Sequence, residues 1–264
     1  MIYKNQNLRQ ISFPIGGIGT GSIGISGNGS FIDWEIFNKP NKGSKFDTYF
    51  AIRAESSDGK SVTKVLQGDW KGNYMGEYGK KPFQGFGFGA DGVACAFPHF
   101  KSVEFDGCFP IAKLTFKDDD FPADVILTAF NPFIPLDSEN SSIPASFFDI
   151  QIISKEEKIK YSVVMKAENP FADTWNEVIE HDGYALVKMK MANVDSDDIN
   201  YGDITVGVEA SQKIVQEYLY RGGRISQTAY KLGTMAQVKP IIRVSEEGTI
   251  EVPAKAMGIR KGLD

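Results

Sequence analysis

The chain has 264 residues, a net charge of −5, 42% hydrophobic and 24% charged side chains, the makeup of a globular protein able to bury a sizeable core. The acidic balance excludes the basic footprint of a nucleic-acid binder, so neither DNA nor RNA is expected as a partner. Its apolar runs are far shorter than the roughly 20 residues of a membrane span, and the opening MIYKNQNLRQ lacks an apolar signal core, so a cytoplasmic location without a transmembrane segment is expected.

The first marked stretch, residues 13–38 (FPIGGIGTGSIGISGNGSFIDWEIFN), packs seven glycines into its first part and then becomes strand-like and aromatic. Gly19-Thr20-Gly21-Ser22-Ile23-Gly24 matches G-x-G-x-x-G, but a dinucleotide site needs a helix to begin inside the motif. Here Ser26-Gly27-Asn28-Gly29 follows, a hairpin turn, and then Phe31, Asp33, Glu35 and Phe37 alternate with Ile32, Trp34 and Ile36. Residues 16–24 are therefore expected as a loop or bulged strand, and no cofactor is expected.

Residues 47–55 (DTYFAIRAE) alternate as a strand with Phe50, Ile52 and Ala54 on one face. Between Gly68 and Gly92 the chain is rich in glycine and aromatics without a sustained period, and reads as long loops. Trp70, Tyr74 and Tyr78 lie there, either stacking on sugar or plugging an edge of the fold. Strands are then expected at residues 93–97, 102–105, 111–116, 123–130, 145–153, 159–167, 184–191 and 203–209, each bounded by Pro, Gly, Asp or Asn. Residues 159–167 alternate Ile159, Tyr161, Val163 and Met165 against Lys160, Ser162 and Lys166, and residues 184–191 place Ala185, Val187 and Met189 opposite Lys188 and Lys190. Residues 212–230 have weak helical character, and residues 241–244 and 249–252 read as short strands. Many short strands with turns between them predict an all-β fold, a large antiparallel β-sandwich with long Gly/aromatic-rich loops and little helix.

The chemistry-bearing residues are sparse. Cys95 and Cys108 read as buried free thiols, with a disulfide as the alternative, and His99 and His181 offer no zinc-ligand spacing. Residues 195–198 (DSDD) lack the spaced ligands of a calcium loop and read as an exposed acidic turn, so no metal is expected. Asn140-Ser141-Ser142 fits the glycosylation pattern, which is idle without a signal peptide. Asp33 and Glu35 sit two apart on one predicted strand, an arrangement that usually ends in solvent or in pairing with a lysine or arginine rather than in catalysis. No catalytic residue is assigned.

A second marked stretch, Phe130-Asn131-Pro132-Phe133-Ile134-Pro135 continuing through Asp137, Ser141 and Pro144, joins two strand patterns around a proline-rich corner. With residues 13–21 and the strand through Trp34 and Asn38, it resembles the N-terminal domain of glycoside hydrolase family 116, the non-lysosomal glucosylceramidase and bile-acid β-glucosidase type, over roughly residues 10–220. The resemblance implies a β-sandwich packed on an (α/α)6 solenoid that supplies both carboxylates of a retaining β-glycosidase. It further implies one sandwich domain over residues 1–264, C-terminally truncated, lacking the catalytic domain and inactive by itself. The implied partner is that solenoid, in cis or in trans, with a carbohydrate or glycolipid as ligand. Phe13, Phe130, Phe133 and Ile134, with aromatics between Trp70 and Phe88, are expected to line the docking face. The alternative is a stand-alone carbohydrate-binding module that stacks sugar on Trp34, Trp70, Tyr74 or Tyr78.

Overall fold

The computed structural model describes residues 1–37, 40–69, 93–94, 97–171, 174–181, 184–199, 201–209, 238–244 and 250–257. In chain order the strands are β1 (Ile2–Lys4), β2 (Ser12–Ile15), β3 (Ser22–Ser26), β4 (Phe31–Glu35), β5 (Tyr49–Ser56), β6 (Ser61–Gly68), β7 (His99–Phe100), β8 (Ser102–Cys108), β9 (Ile111–Lys117) and β10 (Ala123–Phe130). There follow α1 (Ser138–Ser141), β11 (Phe147–Ser154), β12 (Ile159–Lys166), β13 (Thr174–His181), β14 (Tyr184–Met191), β15 (Asp203–Glu209), β16 (Val238–Val244) and β17 (Ile250–Met257). Among the described residues the only other helix is a single 3-10 turn at Asn5–Leu8, and no helix is long and apolar enough to cross a membrane.

The contacts gather into two compact units, Met1–Trp175 with Met189–Ile204, and Asn176–Lys188 with Thr205–Asp264. In the first unit β1-β8-β9-β10-β11 form a five-stranded antiparallel sheet, and β12-β5-β6-β7 form a second sheet in which only β7 runs parallel to its neighbour. A third sheet, β2-β3-β4, holds the glycine-rich stretch. Further along the chain, β13-β14-β15 form a three-stranded sheet and β16 pairs with β17.

Strand alternation builds the core of the sandwich directly. In β10 Ala123, Val125, Leu127 and Ala129 are buried while their neighbours are half-buried, and the register sets Val125 against Phe116, Leu127 against Leu114 and Ala129 against Ala112. Phe50, Ile52 and Ala54 of β5 belong to the same cluster, as do Ile15, Ile25, Phe31 and Trp34 of the third sheet. Phe100 packs on Phe116 and Phe121 with ring centroids 5.6 and 5.2 Å apart. Each such fully buried phenylalanine contributes about 1.5–3 kcal/mol of burial free energy.

β6 breaks the alternation that would reveal it, because its Lys64 is buried and donates to Asp118. Asp118 also accepts from the backbone N–H groups of Asp120 at 2.9 Å and Lys101 at 3.1 Å. Three expectations are corrected here. The strand over residues 93–97 is absent from its described part, since Val93 and Ala94 form a turn and Ala94 is left-handed at φ 59°. Cys108 is free but exposed at the end of β8 rather than buried, and Cys95 lies outside the described residues. Val163 of β12 is exposed, so only Ile159, Tyr161 and Met165 of its apolar face reach the core. The weakly helical residues 212–230 lie outside the described residues, as do Trp70, Tyr74 and Tyr78.

Candidate functional site

Residues 16–24 are the turn and strand expected of them: β2 ends at Ile15, the chain reverses, and β3 pairs with β4 through a register shift between Ser22 and Gly24. No helix starts inside the G-x-G-x-x-G match, which removes its dinucleotide reading. The turn instead lies against the proline-rich corner. Ile18 N donates to Ser141 O at 2.9 Å, and a Cβ at Gly17 would stand 2.4 Å from Ile143 O, so only glycine permits this approach.

The corner is braced from within. Ser141 Oγ, buried, accepts from Ile134 N at 2.9 Å and donates to Ile134 O at 3.0 Å. Asp137 caps α1 by accepting from Asn140 N at 3.0 Å, and its other carboxylate oxygen accepts from Asn140 Nδ2 at 2.6 Å. The Asn140 backbone N–H is the chief cause that holds the Asp137 pKa below the ordinary carboxylate value. The amide of Asn140, the residue of the glycosylation pattern, is thus engaged in fastening the corner.

The two marked stretches meet around an apolar surface. Phe13 stands 6.0 Å from Phe105 and 6.4 Å from Phe109, and Phe109 meets Phe133 edge-on at 5.2 Å. Phe130 stacks on Phe147 at 5.4 Å, and the register places Phe130 between Ile111 and Phe147, so these three form a row across β9, β10 and β11 on the outward face of the sheet. One step along that face the row becomes polar, with Thr128 between Lys113 and Asp149. Phe109 and Ile134 are 53% and 50% exposed, and Ile18, Ile111, Leu136, Ile143 and Phe147 are exposed as well. Exposed apolar patches rimmed by polar residues mark interaction sites or ligand-binding grooves on proteins in general.

Of the residues expected from sequence, Phe13, Phe130, Phe133 and Ile134 come together here, while Ile18, Phe109, Ile111, Leu136, Ile143 and Phe147 were not foreseen. Their place on the same alternation face as Lys113 and Asp149 is the available signal for Ile111 and Phe147. Trp34 does not join them. At 7% exposure it packs edge-on against Phe46 at 5.2 Å and Phe31 at 6.3 Å, so its ring belongs to the core and offers no open face to a sugar.

Asp33 and Glu35 are fastened rather than poised. Asp33 is buried, accepts from Ser12 Oγ at 2.6 Å and from Gly43 N at 2.7 Å, and lies 3.3 Å from Lys42 Nζ, which also pairs with Glu35 at 3.2 Å. Burial disfavours the charge on Lys42, but the Glu35 and Asp33 carboxylates outweigh it and raise its pKa. Both carboxylates are thus committed to partners within this chain, a structural pairing rather than a pair left open to substrate. Asp33 adopts φ 51°, which explains why its side chain leaves the alternation predicted for β4. Burial lowers the pKa of His99, and among the described residues no group of His, Cys, Asp or Glu is arranged to hold a metal.

Comparison with known proteins gives two kinds of match. Two DegV domain-containing proteins of Clostridium perfringens (strain 13 / Type A), CPE2509 and CPE0026, are 47% and 43% identical to this chain over 47 residues, 18% of its length. That stretch is 17% and 16% of the relatives' own chains, so this chain spans about a sixth of the length of the curated relatives it matches. A family profile described as beta-glucosidase 2, glycosyl-hydrolase family 116 N-term, matches residues 12–254, which takes in the glycine-rich turn, the whole apolar surface and the sandwich beneath it. The chain belongs to the glycosyl-hydrolase family 116 N-terminal domain family.

Proposed function

We propose that this chain is the non-catalytic β-sandwich of a β-glucosidase- or glucosylceramidase-like hydrolase, acting in the cytoplasm on carbohydrate or glycolipid. It docks the catalytic domain, in cis or in trans, and helps to shape the entrance to the active site. The observation that carries this reading is the exposed apolar surface where the two stretches that mark the family meet neighbouring strands, with Phe109, Phe133 and the Ile111–Phe130–Phe147 row at its centre. Burying several hundred square ångströms of it at about 25 cal/mol per Å2 stabilises a complex by several kcal/mol before entropy is charged. Asp33 and Glu35 have a structural occupation, which leaves the chemistry to the partner.

The test uses the full chain in sedimentation velocity and in binding to the hydrolase portion of a family 116 β-glucosidase from which its own N-terminal domain has been removed. Binding by the wild type, lost when Ile111 and Phe147 are both changed to lysine, supports docking. A monomer that ignores the hydrolase portion, while its tryptophan fluorescence saturates with cellobiose, overturns docking and makes the chain a sugar-binding module.

A further inference from the structure

Leu136 is disfavoured twice by its own chain. Its side chain is fully exposed, touching nothing that would bury it, and its backbone is left-handed at φ 69°, where a leucine Cβ crowds the following carbonyl and glycine or asparagine is the usual occupant. Neither feature comes from a loose loop. Pro135 restricts the preceding backbone, Asp137 N donates to Ile134 O at 3.0 Å, the Asp137 carboxylate caps α1, and both backbone polar groups of Ile134 bond to the buried Ser141 hydroxyl. Ile18 N then ties the same corner to the glycine-rich turn. The corner thus holds one apolar side chain out from its surface, and Ile134 and Ile143 of the same segment are exposed as well.

Resting on the docking function above, we infer that Leu136 is the preformed anchor of that interface, and that it enters a leucine-sized apolar socket on the hydrolase portion. A side chain already held in its bound geometry loses little freedom on binding, which is the advantage of bracing it so heavily. A protruding side chain needs a concave partner. The family match describes an N-terminal part of a glycosyl hydrolase, which makes the rest of that hydrolase the partner.

The experiment compares the full wild-type chain with its Leu136→Asn variant and with the Ile111→Lys/Phe147→Lys variant. Each is measured for binding to the immobilised hydrolase portion of a family 116 β-glucosidase, for thermal midpoint and for sedimentation. Asparagine tolerates the left-handed backbone, so the midpoint of Leu136→Asn should match or exceed wild type while binding weakens about ten- to a hundredfold. If Leu136→Asn binds like wild type while the double-lysine variant does not, the anchor is refuted and docking stands. If wild type fails to bind, docking falls and the anchor with it. A midpoint lowered by Leu136→Asn would show that the leucine packs within its own chain, and a wild-type dimer that Leu136→Asn makes monomeric would assign the socket to a second copy. Either result overturns the inference.

Discussion

Replacing Asp118 by asparagine should be among the most destabilising single changes in the sandwich. The Asp118 side chain is 0% exposed and lies against Lys64, itself 9% exposed, so the substitution leaves a buried ammonium facing a neutral amide. Removing one partner of such a pair costs about 3–5 kcal/mol. Burial opposes ionisation of Asp118, but Lys64 and the N–H groups of Asp120 and Lys101 prevail and hold its pKa at about 2, against the ordinary 3.8. That difference corresponds to about 2 kcal/mol of stability from the ionised carboxylate. Because the folded-state pKa lies below the unfolded one, this contribution is complete above about pH 4 and is lost as pH falls through about 2. Urea titrations followed by tryptophan fluorescence at pH 7, 4 and 2.5 would measure both effects. Asp118→Asn should be less stable than wild type at pH 7, and the gap should narrow at the lowest pH, where the wild-type carboxyl is itself becoming neutral. Lys64→Met should cost less, because Asp118 keeps its two amide donors and Lys101 Nζ at 3.5 Å. A loss below about 1 kcal/mol for Asp118→Asn, or a gap that does not change with pH, would refute the reasoning.

Gly17→Ala should lower the thermal midpoint by an amount equivalent to about 1–3 kcal/mol, since its Cβ would lie 2.4 Å from Ile143 O and 2.7 Å from Ser142 O; an unchanged midpoint would show that the turn can move away freely. Asp33→Ala removes an acceptor from Ser12 Oγ and Gly43 N and puts alanine at φ 51°, so a loss of about 2–4 kcal/mol is expected in urea titration, with Asp33→Asn losing clearly less because asparagine accepts that backbone. The purified chain should release no leaving group from aryl β-glucosides, and turnover abolished by Asp33→Asn or Glu35→Gln would make that pair catalytic after all.

The strands were legible wherever a single face carried all the apolar residues. β10 and β14 emerge with their observed bounds because Val125, Leu127 and Ala129, or Ala185 and Met189, alternate with polar or half-buried neighbours. β6 was not seen, since Lys64 and Gln67 are buried among its apolar residues and a buried polar group looks like an exposed one until its partner is found 54 positions away in Asp118. The same kind of remote constraint hid Asp33: its left-handed backbone answers to Ser12, Lys42 and Gly43, none of which lies in its own strand.

The apolar surface divides along the same line, and the division explains why only part of it is legible in the sequence. Phe13, Phe130, Phe133 and Ile134 fall inside stretches whose glycines and prolines already announce unusual backbone, so local pattern was enough. Ile111 and Phe147 sit on ordinary strands, and an apolar residue on a strand is assigned inward by default. They face outward because Ala112 and Phe148 take the inward positions, and only the register that sets both beside Phe130 turns three separate residues into one surface. Leu136 is the extreme case. In sequence it is one more apolar residue beside a proline, and nothing short of the hydrogen bonds of Ile134, Asp137 and Ser141 shows that the chain holds it rigidly in a conformation from which it gains no burial of its own. A residue held against both its backbone preference and its hydrophobicity is placed by these longer-range hydrogen bonds, which no local pattern encodes.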